Sequence, residues 1–130
     1  MSVSPKRIDH FVLTVRDIEA TCRFYTTVLG MEVVTFGVGR TALKFGAHKI
    51  NLHPIGNNIA LKADRPVPGS ADFCLITDTP IARIVEHFAL CGVSIVEGPN
   101  VRAGALGPIL SVYVRDPDGN LVEIANYIDR

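Results

Sequence analysis

The sequence predicts an α+β fold made of two βαβββ modules that form a half-open barrel. Three observations lead to this fold: 130 residues suffice for one domain, the order of strand-like and helix-like segments occurs twice, and glycine turns separate short alternating strands. A hydrophobic content of 48% with 20% charged residues is typical of a chain that buries a core. We therefore expect one domain over residues 1–130, built from two repeats.

Module 1 is predicted over residues 8–55. An alternating run forms its first strand, and a helix follows from about Asp17 until Gly30 ends it. Three strands come next, and the turns Gly37–Gly39 and Gly46–Ala47 separate them as hairpins require. These strands are predicted at 32–36, 41–45 and 49–53.

Module 2 is predicted over residues 70–128, after a linker at 56–69 that is rich in Asn, Pro and Gly. It repeats the order with a strand and then a helix that has Pro80 in its first turn and Gly92 after its end. The remaining strands are predicted at 94–97, 109–115 and 121–127. The glycine-rich stretch that follows the predicted strand at 94–97 is interpreted as a loop, which is either a lid over a site or an ordinary surface loop.

The two modules align when a constant difference in residue number is applied. Asp72 follows His10 by 62 positions, and Gly92 follows Gly30 by the same 62. The last strands need an offset of 70, which places Glu123 opposite His53 and assigns eight extra residues to the loop. Because about 60 residues do not cover both faces of a four-stranded sheet, we expect two such units to pack together, within the chain or between chains.

Strand parity places four polar residues on the faces that point away from the helices. Side chains alternate between the faces of a strand, so apolar neighbours identify the helix side and the remaining residues share the concave side. The four residues selected in this way are His10, His53, Asp72 and Glu123. Two imidazoles and two carboxylates are ligands that borderline divalent metal ions prefer, so the sequence predicts a metal site.

Two motifs resemble a known family. The opening His10–Val15, with Thr21, Phe24–Tyr25 and Leu29–Met31, resembles the signature of glyoxalase I, and Asp116–Glu123 resembles the turn that precedes its last metal-binding Glu. The sequence is thereby identified as a member of the vicinal oxygen chelate (VOC) superfamily, which also holds extradiol dioxygenases and bleomycin-resistance proteins. Within it, Pro66–Ser70, Cys74–Thr77 and Glu97–Pro99 resemble the group of glyoxalase domain-containing protein 5.

The resemblance implies a set of functional residues. The metal ligands would be His10, His53, Asp72 and Glu123, holding Ni, Zn, Mn or Fe, with Glu123 as the catalytic base and Asp72 as the second choice. Asp72 is the least certain ligand, and a site of His10, His53 and Glu123 is the alternative. Substrate contacts are predicted for residues that share the concave parity or lie in the loop; these are Asn51, Tyr113, Arg115 and Arg102.

The family resemblance leaves three function classes open. The first is a glyoxalase I-like lyase or isomerase acting on a small molecule with vicinal oxygens, and the second is an extradiol-type dioxygenase. The third is a non-catalytic small-molecule binding or resistance protein. The order of His53 and then Asp72 differs from that usual in glyoxalase I, so the use of glutathione stays open.

Charge and cysteine content indicate the partners. A net charge of +0 and a pI of about 6.9 disfavour nucleic acid and anionic membranes, which leaves a small-molecule substrate. The three cysteines form no Cys-x-x-Cys pair and are predicted to be buried free thiols in a cytoplasmic protein without a signal peptide. A homodimer is expected, because many relatives of this length build each site from two chains.

Overall fold

Each half of the chain folds into a four-stranded mixed sheet with one helix, as the sequence predicts. The computed structural model describes residues 2–128, and the chain divides into two compact units between Val67 and Pro68. Module 1 contains β1 (His10–Val15), α1 (Ile18–Thr27), β2 (Glu32–Phe36), β3 (Arg40–Phe45) and β4 (His48–Pro54). Module 2 contains β5 (Asp72–Ile76), α2 (Ile81–Leu90), β6 (Glu97–Ala103), β7 (Pro108–Arg115) and β8 (Leu121–Tyr127).

The two sheets have the same topology. Their strand orders are β1-β4-β3-β2 and β5-β8-β7-β6. In each sheet the first and last strands of the module pair in parallel, whereas the other neighbours are antiparallel. The first and last strands of each βαβββ unit therefore lie side by side, and residues that pair between them project from the same face of the sheet.

The helices are anchored by different polar groups. Asp17 caps α1 by accepting a hydrogen bond from the backbone N–H of Ala20 at 3.0 Å. Pro80 offers α2 no side-chain cap, and Asn126 of β8 instead accepts from the N–H of Ile81 at 2.9 Å. The Asn126 amide also donates to the carbonyl of Thr77 at 2.8 Å, which ties the start of α2 to the sheet.

The core forms where apolar residues of the strands meet the helices. Leu13 and Ile50 are buried on the helix side of module 1, and Val122 and Ile124 occupy the same side of β8. Their alternation confirms the parity used to divide the faces. None of the helices in the described part of the chain is long and apolar enough to span a membrane.

The predicted strand at 94–97 and the loop after it are wrong. β6 begins at Glu97 and continues to Ala103, so Arg102 belongs to a strand, and Gly104–Gly107 closes a short hairpin. Gly98 and the following Pro99 indicated a loop, but they form an irregularity in the β6–β7 ladder between Glu97 and Asn100. This stretch is therefore paired backbone and not a lid.

The strand register corrects the offset of the last strands. His10 lies opposite Lys49 in β4, and Asp72 lies opposite Leu121 in β8. The offset between β4 and β8 is therefore 121 − 49 = 72 rather than 70. Glu123 corresponds to Asn51, not to His53. Offsets of 70 and 72 are both even, so both place the same residues on the same face of the sheet. The alternation of residues alone therefore does not distinguish the two registers.

Burial of the thiols was also predicted wrongly. All three cysteines are free, as expected, but Cys74 is exposed and Cys22 and Cys91 are only half-buried. Cys74 lies on β5 two positions after Asp72, and so it shares the face of that carboxylate. The thiol therefore stands beside the candidate site and not in the core.

Candidate functional site

Glu123 is the centre of a polar cluster on the sheet of module 2. In the strand register it lies between Cys74 of β5 and Tyr113 of β7. Its Oε2 accepts a hydrogen bond from the Ser111 hydroxyl at 2.6 Å. A carboxylate that is half-buried and held by a hydroxyl has a fixed orientation, which a metal ligand or a catalytic base requires.

The neighbours of Glu123 remain protonated at neutral pH. Although the residue as a whole is exposed, partial burial of the thiol, and after it the charge of Glu123, raises the pKa of Cys74 to about 12. Burial raises the pKa of Tyr113 as well, and the Glu123 carboxylate adds to the shift by its charge and by a hydrogen bond. Cys74 is thus no thiolate nucleophile, whereas Tyr113 is a hydroxyl donor facing the carboxylate.

Arg102 and Arg115 have different surroundings on this sheet. The Arg102 guanidinium lies 5.6 Å from the centre of the Tyr113 ring and donates to Glu97 at 2.7 Å. Arg115 lies on the exposed end of β7 and donates to the carbonyl of Gly119 in the turn at 3.2 Å. Arg102 is therefore linked to the Glu123 cluster, whereas Arg115 holds the turn.

The turn before β8 is a buried polar structure. The Asp116 carboxylate accepts from the backbone N–H groups of Asp118 and Asn120 at 2.9 and 3.0 Å, and from the Asn120 amide at 2.8 Å. The side-chain oxygen Oδ1 of Asn120 accepts from the N–H of Ala71 at 2.9 Å, just before β5. The Asp116–Asn120 motif thereby fixes β8 against β5, and with them Glu123 relative to Asp72.

His10 has the hydrogen bonding of a metal ligand. It begins β1, and its Nδ1 lies 2.9 Å from Oδ2 of Asp9. The carboxylate accepts the Nδ1 proton, so Nε2 of the neutral ring keeps its lone pair. This bond also lowers the pKa of Asp9, which is the expected effect of a donor on a carboxylate. The residue fits the predicted role.

His53 does not have such hydrogen bonding. It lies opposite Thr14, four positions along β1 from His10, which corresponds to about 13 Å along the strand. Its Nε2 is 3.3 Å from Nη2 of Arg40, and a guanidinium only donates. The lone pair of Nε2 is therefore used by Arg40. Its Nδ1 is buried without a hydrogen-bond partner, so His53 stays a predicted metal ligand through that nitrogen.

Asp72 and Glu123 are closer in register. Asp72 lies opposite Leu121, two positions before Glu123 on the same face, or about 7 Å along the strand. Asp72 is exposed at the start of β5. Within residues 2–128 of one chain, no three side chains of His, Cys, Asp or Glu lie close enough together to hold a metal ion.

The structure adds three residues that the sequence analysis did not single out. Ser111 and Cys74 share the concave parity with Tyr113 and Asp72, so the alternation already contained their signal. Arg40 directly follows the turn glycine Gly39, and nothing in the pattern marked it as a partner of His53.

A family comparison agrees with this architecture. The model of the Glyoxalase/Bleomycin resistance protein/Dioxygenase superfamily matches residues 7–124. The chain belongs to this superfamily. The two βαβββ modules and the polar concave residues are therefore to be interpreted in its terms, and the family resemblance of the opening and closing motifs is confirmed.

Three proteins are highly similar to this one over nearly the whole chain. Virulence protein STM3117 of Salmonella typhimurium is 58% identical over 122 residues, which cover 94% of this chain and 85% of that protein. Glyoxalase domain-containing protein RDO1 of Mycosarcoma maydis is 50% identical over 127 residues, covering 98% of this chain and 72% of that protein. An integron cassette protein from the mobile metagenome of V. cholerae superposes with a TM-score of 0.97 at 51% identity, covering 98% and 100% of the two chains.

More distant members carry the names of different activities. The structure of lactoylglutathione lyase from Agrobacterium tumefaciens has a TM-score of 0.70 at 25% identity, covering 94% of each chain. Catechol-2,3-dioxygenase of Bacillus subtilis is 28% identical, covering 95% of this chain and 41% of that protein. The narrower resemblance to the group of glyoxalase domain-containing protein 5 stays a prediction, because these relatives carry other names.

Proposed function

We propose that this protein is a metal-dependent lyase or isomerase of glyoxalase type, in which Glu123 transfers a proton. The observation that carries the proposal is the Glu123 carboxylate, which Ser111 holds at 2.6 Å between a thiol and a phenol that both stay protonated. An oriented carboxylate beside proton donors suits general acid–base chemistry. It does not suit nucleophilic chemistry at Cys74, because that thiol carries almost no thiolate at neutral pH.

The proposed metal ligands are His10, Asp72 and Glu123. His10 fits because its Nδ1 contacts the Asp9 carboxylate, which leaves Nε2 as the nitrogen available to a metal ion, and the two carboxylates fit because they lie on one face two positions apart. A divalent ion bound there would hold two neighbouring substrate oxygens and acidify the adjacent C–H bond. His53 stays the predicted fourth ligand through Nδ1, which is buried without a hydrogen-bond partner, while its Nε2 faces Arg40.

The residues around Glu123 have separate tasks. Ser111 fixes Oε2, so Oε1 is the oxygen that we expect to accept the substrate proton. Tyr113 donates a hydrogen bond to an oxygen of the carboxylate or of the substrate, since its raised pKa keeps the phenol protonated. Arg102 restrains the Tyr113 ring and is itself held by Glu97. Arg102 is therefore a positioning residue.

We expect the ligand set to be completed by a second copy of the chain. The family resemblance supports a site built from two chains, because many relatives of this length are assembled in this way. A homodimer supplies two equivalent sites by symmetry. Multi-angle light scattering should give about twice the 14.1 kDa of the chain, and a monomeric mass would contradict this part of the proposal.

A dioxygenase is the second candidate, and the similarity to catechol-2,3-dioxygenase favours it. That chemistry uses iron held by two His and one carboxylate. Among the four histidines, the Nδ1 atoms of His10 and His48 both lie beside an oxygen, that of His48 at 2.7 Å from the Ile8 carbonyl, so imidazole hydrogen bonding does not separate the two functions. The Glu123 carboxylate, which Ser111 orients, makes the lyase the better-supported function, because proton transfer requires such a base.

Metal analysis and one substitution test the proposal. The protein, purified without a metal-affinity tag, should bind about one divalent ion per chain. After reconstitution with Ni, Zn, Mn or Fe, it should convert the adduct of methylglyoxal and glutathione. Glu123→Gln should lower turnover by about 100- to 10,000-fold, because general-base catalysis contributes that much, whereas Glu86→Gln on the exposed face of α2 should leave it unchanged.

The alternatives give different outcomes in the same experiment. Oxygen consumption with catechol in the iron-loaded protein would replace the lyase by the dioxygenase. Absence of a stoichiometric ion, or full turnover in Glu123→Gln, would overturn the proposal and leave small-molecule binding without catalysis.

A further inference from the structure

A thiol and an imidazole meet at the C-terminal end of α2, on the helix side of module 2. His87 and Cys91 are four positions apart, so their side chains lie on the same side of the helix, one turn apart. The backbone N–H of Cys91 donates to the carbonyl of His87 at 3.0 Å, and Cys91 still has right-handed helical angles, with φ −82° and ψ −3°. The helix backbone therefore fixes the spacing of the two side chains.

The two side chains are in contact at a distance that suits a shared metal ion. Sγ of Cys91 lies 3.6 Å from Nε2 and 4.0 Å from Nδ1 of His87. A tetrahedral Zn²⁺ ion, with bonds of about 2.3 Å to sulfur and about 2.0–2.1 Å to nitrogen, holds two such ligand atoms about 3.5–3.6 Å apart. His87 is exposed and Cys91 is half-buried, so the imidazole can rotate about its Cβ–Cγ bond to direct a nitrogen at the ion while the thiol stays in place.

The chemistry of the pair indicates which ions it selects. Thiolate and imidazole are ligands that Zn²⁺ prefers, whereas Mg²⁺ and Ca²⁺ take oxygen ligands. The pair lies in the last turn of α2, where the backbone carbonyl groups give the helix end a partial negative charge that stabilises a cation. Two ligands at positions i and i+4 of one helix face are also the arrangement by which paired helical histidines bind zinc.

Helix α1 offers a natural comparison, because its thiol lacks an imidazole neighbour at the same spacing. The residue four positions after Cys22 is Thr26, whose hydroxyl donates to the carbonyl of Cys22 at 2.8 Å. A threonine hydroxyl is not among the usual ligands of zinc. Cys22 and Cys91 are both half-buried, so the two pairs differ chiefly in the presence of His87.

We propose that His87 and Cys91 form a binding site for a thiophilic divalent cation of the Zn²⁺ type at the end of α2. The imidazole nitrogen and the thiolate are its two protein ligands, water completes the coordination, and the thiol proton passes to solvent as the ion binds. The bound ion links two successive turns and thereby stabilises the end of the helix. This inference does not rest on the proposed function.

The site is expected to be weaker than a structural zinc site. Within residues 2–128 of one chain, no third side chain of His, Cys, Asp or Glu joins the pair, whereas structural zinc sites have four protein ligands. The pair therefore takes up added ion, in addition to the one ion per chain that we expect near Glu123.

A cobalt titration of the protein in its native assembly, after removal of metal with a chelator, tests the site. A bond from thiolate to Co²⁺ gives a charge-transfer absorption band, which the proposed ligands His10, Asp72 and Glu123 do not give because they contain no sulfur. Cys91→Ser should abolish the band, and His87→Gln should weaken cobalt binding at least tenfold, because it removes one of two protein ligands. His87→Cys supplies a second thiolate and should retain binding.

Alkylation of the thiols with iodoacetamide, followed by peptide mass spectrometry, assigns the site independently. Excess Zn²⁺ should slow alkylation of Cys91 at least tenfold, because the metal-bound thiolate is no longer free to react, whereas Mg²⁺ should not. Cys22 is the matched control, and its rate should change less than twofold with either ion. His87→Gln should remove most of the protection at Cys91.

The results distinguish this proposal from the proposed function. Glu123→Gln and Cys74→Ser should keep the cobalt–thiolate band within twofold in affinity, since neither residue belongs to the site on α2. A band that survives Cys91→Ser, unchanged cobalt affinity in His87→Gln, or equal zinc protection of Cys22 and Cys91 would each overturn the site. None of these outcomes bears on the turnover by which the proposed function is judged.

Discussion

The two modules share one backbone plan and differ in the chemistry of matching positions. At the level of Glu123, module 2 presents Cys74, Glu123 and Tyr113 across three strands. At the same level, module 1 presents Val12, Asn51 and Ala42. One sheet therefore carries a carboxylate supported by hydroxyls, and the other carries an amide between apolar neighbours.

This difference shows how a repeat can divide a site. Packing fixes the helix side of both sheets, where Ile50 and Val122 are equally buried. The opposite side is not used for the helix contact, so its residues are available for function. Module 2 carries Asp72 and Glu123 on this side, whereas module 1 carries His10 and His53.

The connection before the last strand differs in its polar groups between the modules. Module 1 uses the turn Gly46–Ala47, whereas module 2 uses the buried network of Asp116 and Asn120. Asp116→Ala should lower the free energy of unfolding by about 3–4 kcal/mol, because it leaves three donors without an acceptor. Urea denaturation followed by circular dichroism measures the change.

A matched control for that substitution lies on the exposed linker. Asp64→Ala removes a carboxylate whose only ion-pair partner within the described residues is the equally exposed Arg65 at 3.8 Å. Its effect should stay within about 0.5 kcal/mol. If Asp116→Ala is as mild as Asp64→Ala, the turn is not the structure that fixes β8 against β5.

The glycines of the two modules give a second test. Gly98 has φ +101 and lies against the carbonyl of Ser111, so a Cβ there would clash with backbone. Gly98→Ala should cost about 3 kcal/mol and disturb the hydroxyl that holds Glu123. Gly46 has φ +51 with nothing near its Cβ position, so Gly46→Ala should cost only about 1 kcal/mol.

Thermal and urea unfolding of the two alanine variants measures this difference. Equal costs would mean that the left-handed backbone alone accounts for both, without the contact at Ser111. A milder effect at Gly98 than at Gly46 would contradict the close approach of β6 and β7.

The smallest expected effect is the pH dependence from module 1. Burial, then Arg40 and Lys62, holds the pKa of His53 below its ordinary value of 6.5, so below about pH 6.5 the unfolded chain takes up the proton before the folded one. Its stabilising contribution is fully present above pH 6.5 and is lost as the pH falls. The slope is at most about 1.4 kcal/mol per pH unit. His53→Leu should flatten the stability profile between pH 5 and 6.5, and an unchanged slope would show that His53 is not buried in its neutral form.

The sequence predicted the fold better than the site. The order of elements, the capping Asp17 and the division of faces follow from local patterns, because alternation and helix signals depend only on neighbouring residues. Parity placed His10, Asp72 and Glu123 correctly on the non-helix faces. Parity does not determine the register of the strands. The sequence therefore aligned Glu123 with His53, whereas the hydrogen-bonded register aligns it with Asn51.

Errors of prediction occurred where long-range contacts overrule local signals. Gly98 and Pro99 are typical loop residues, but the ladder with β7 includes them as an irregularity. Cys74 is apolar enough for a core position, but it shares the face of Glu123 and is exposed. In both cases the partner strand, which is distant in sequence, decided the result.

The sequence by itself determined that this protein consists of two βαβββ modules of the VOC superfamily with carboxylates and imidazoles on their non-helix faces. It did so because periodicity and turn residues are local properties of the chain. Only the tertiary structure decided which strand positions stand side by side, that Ser111 holds Glu123, and that Arg40 lies beside Nε2 of His53. Hydrogen bonds of this kind depend on distances of a few tenths of an ångström between residues far apart in sequence, and only the folded sheets set those distances.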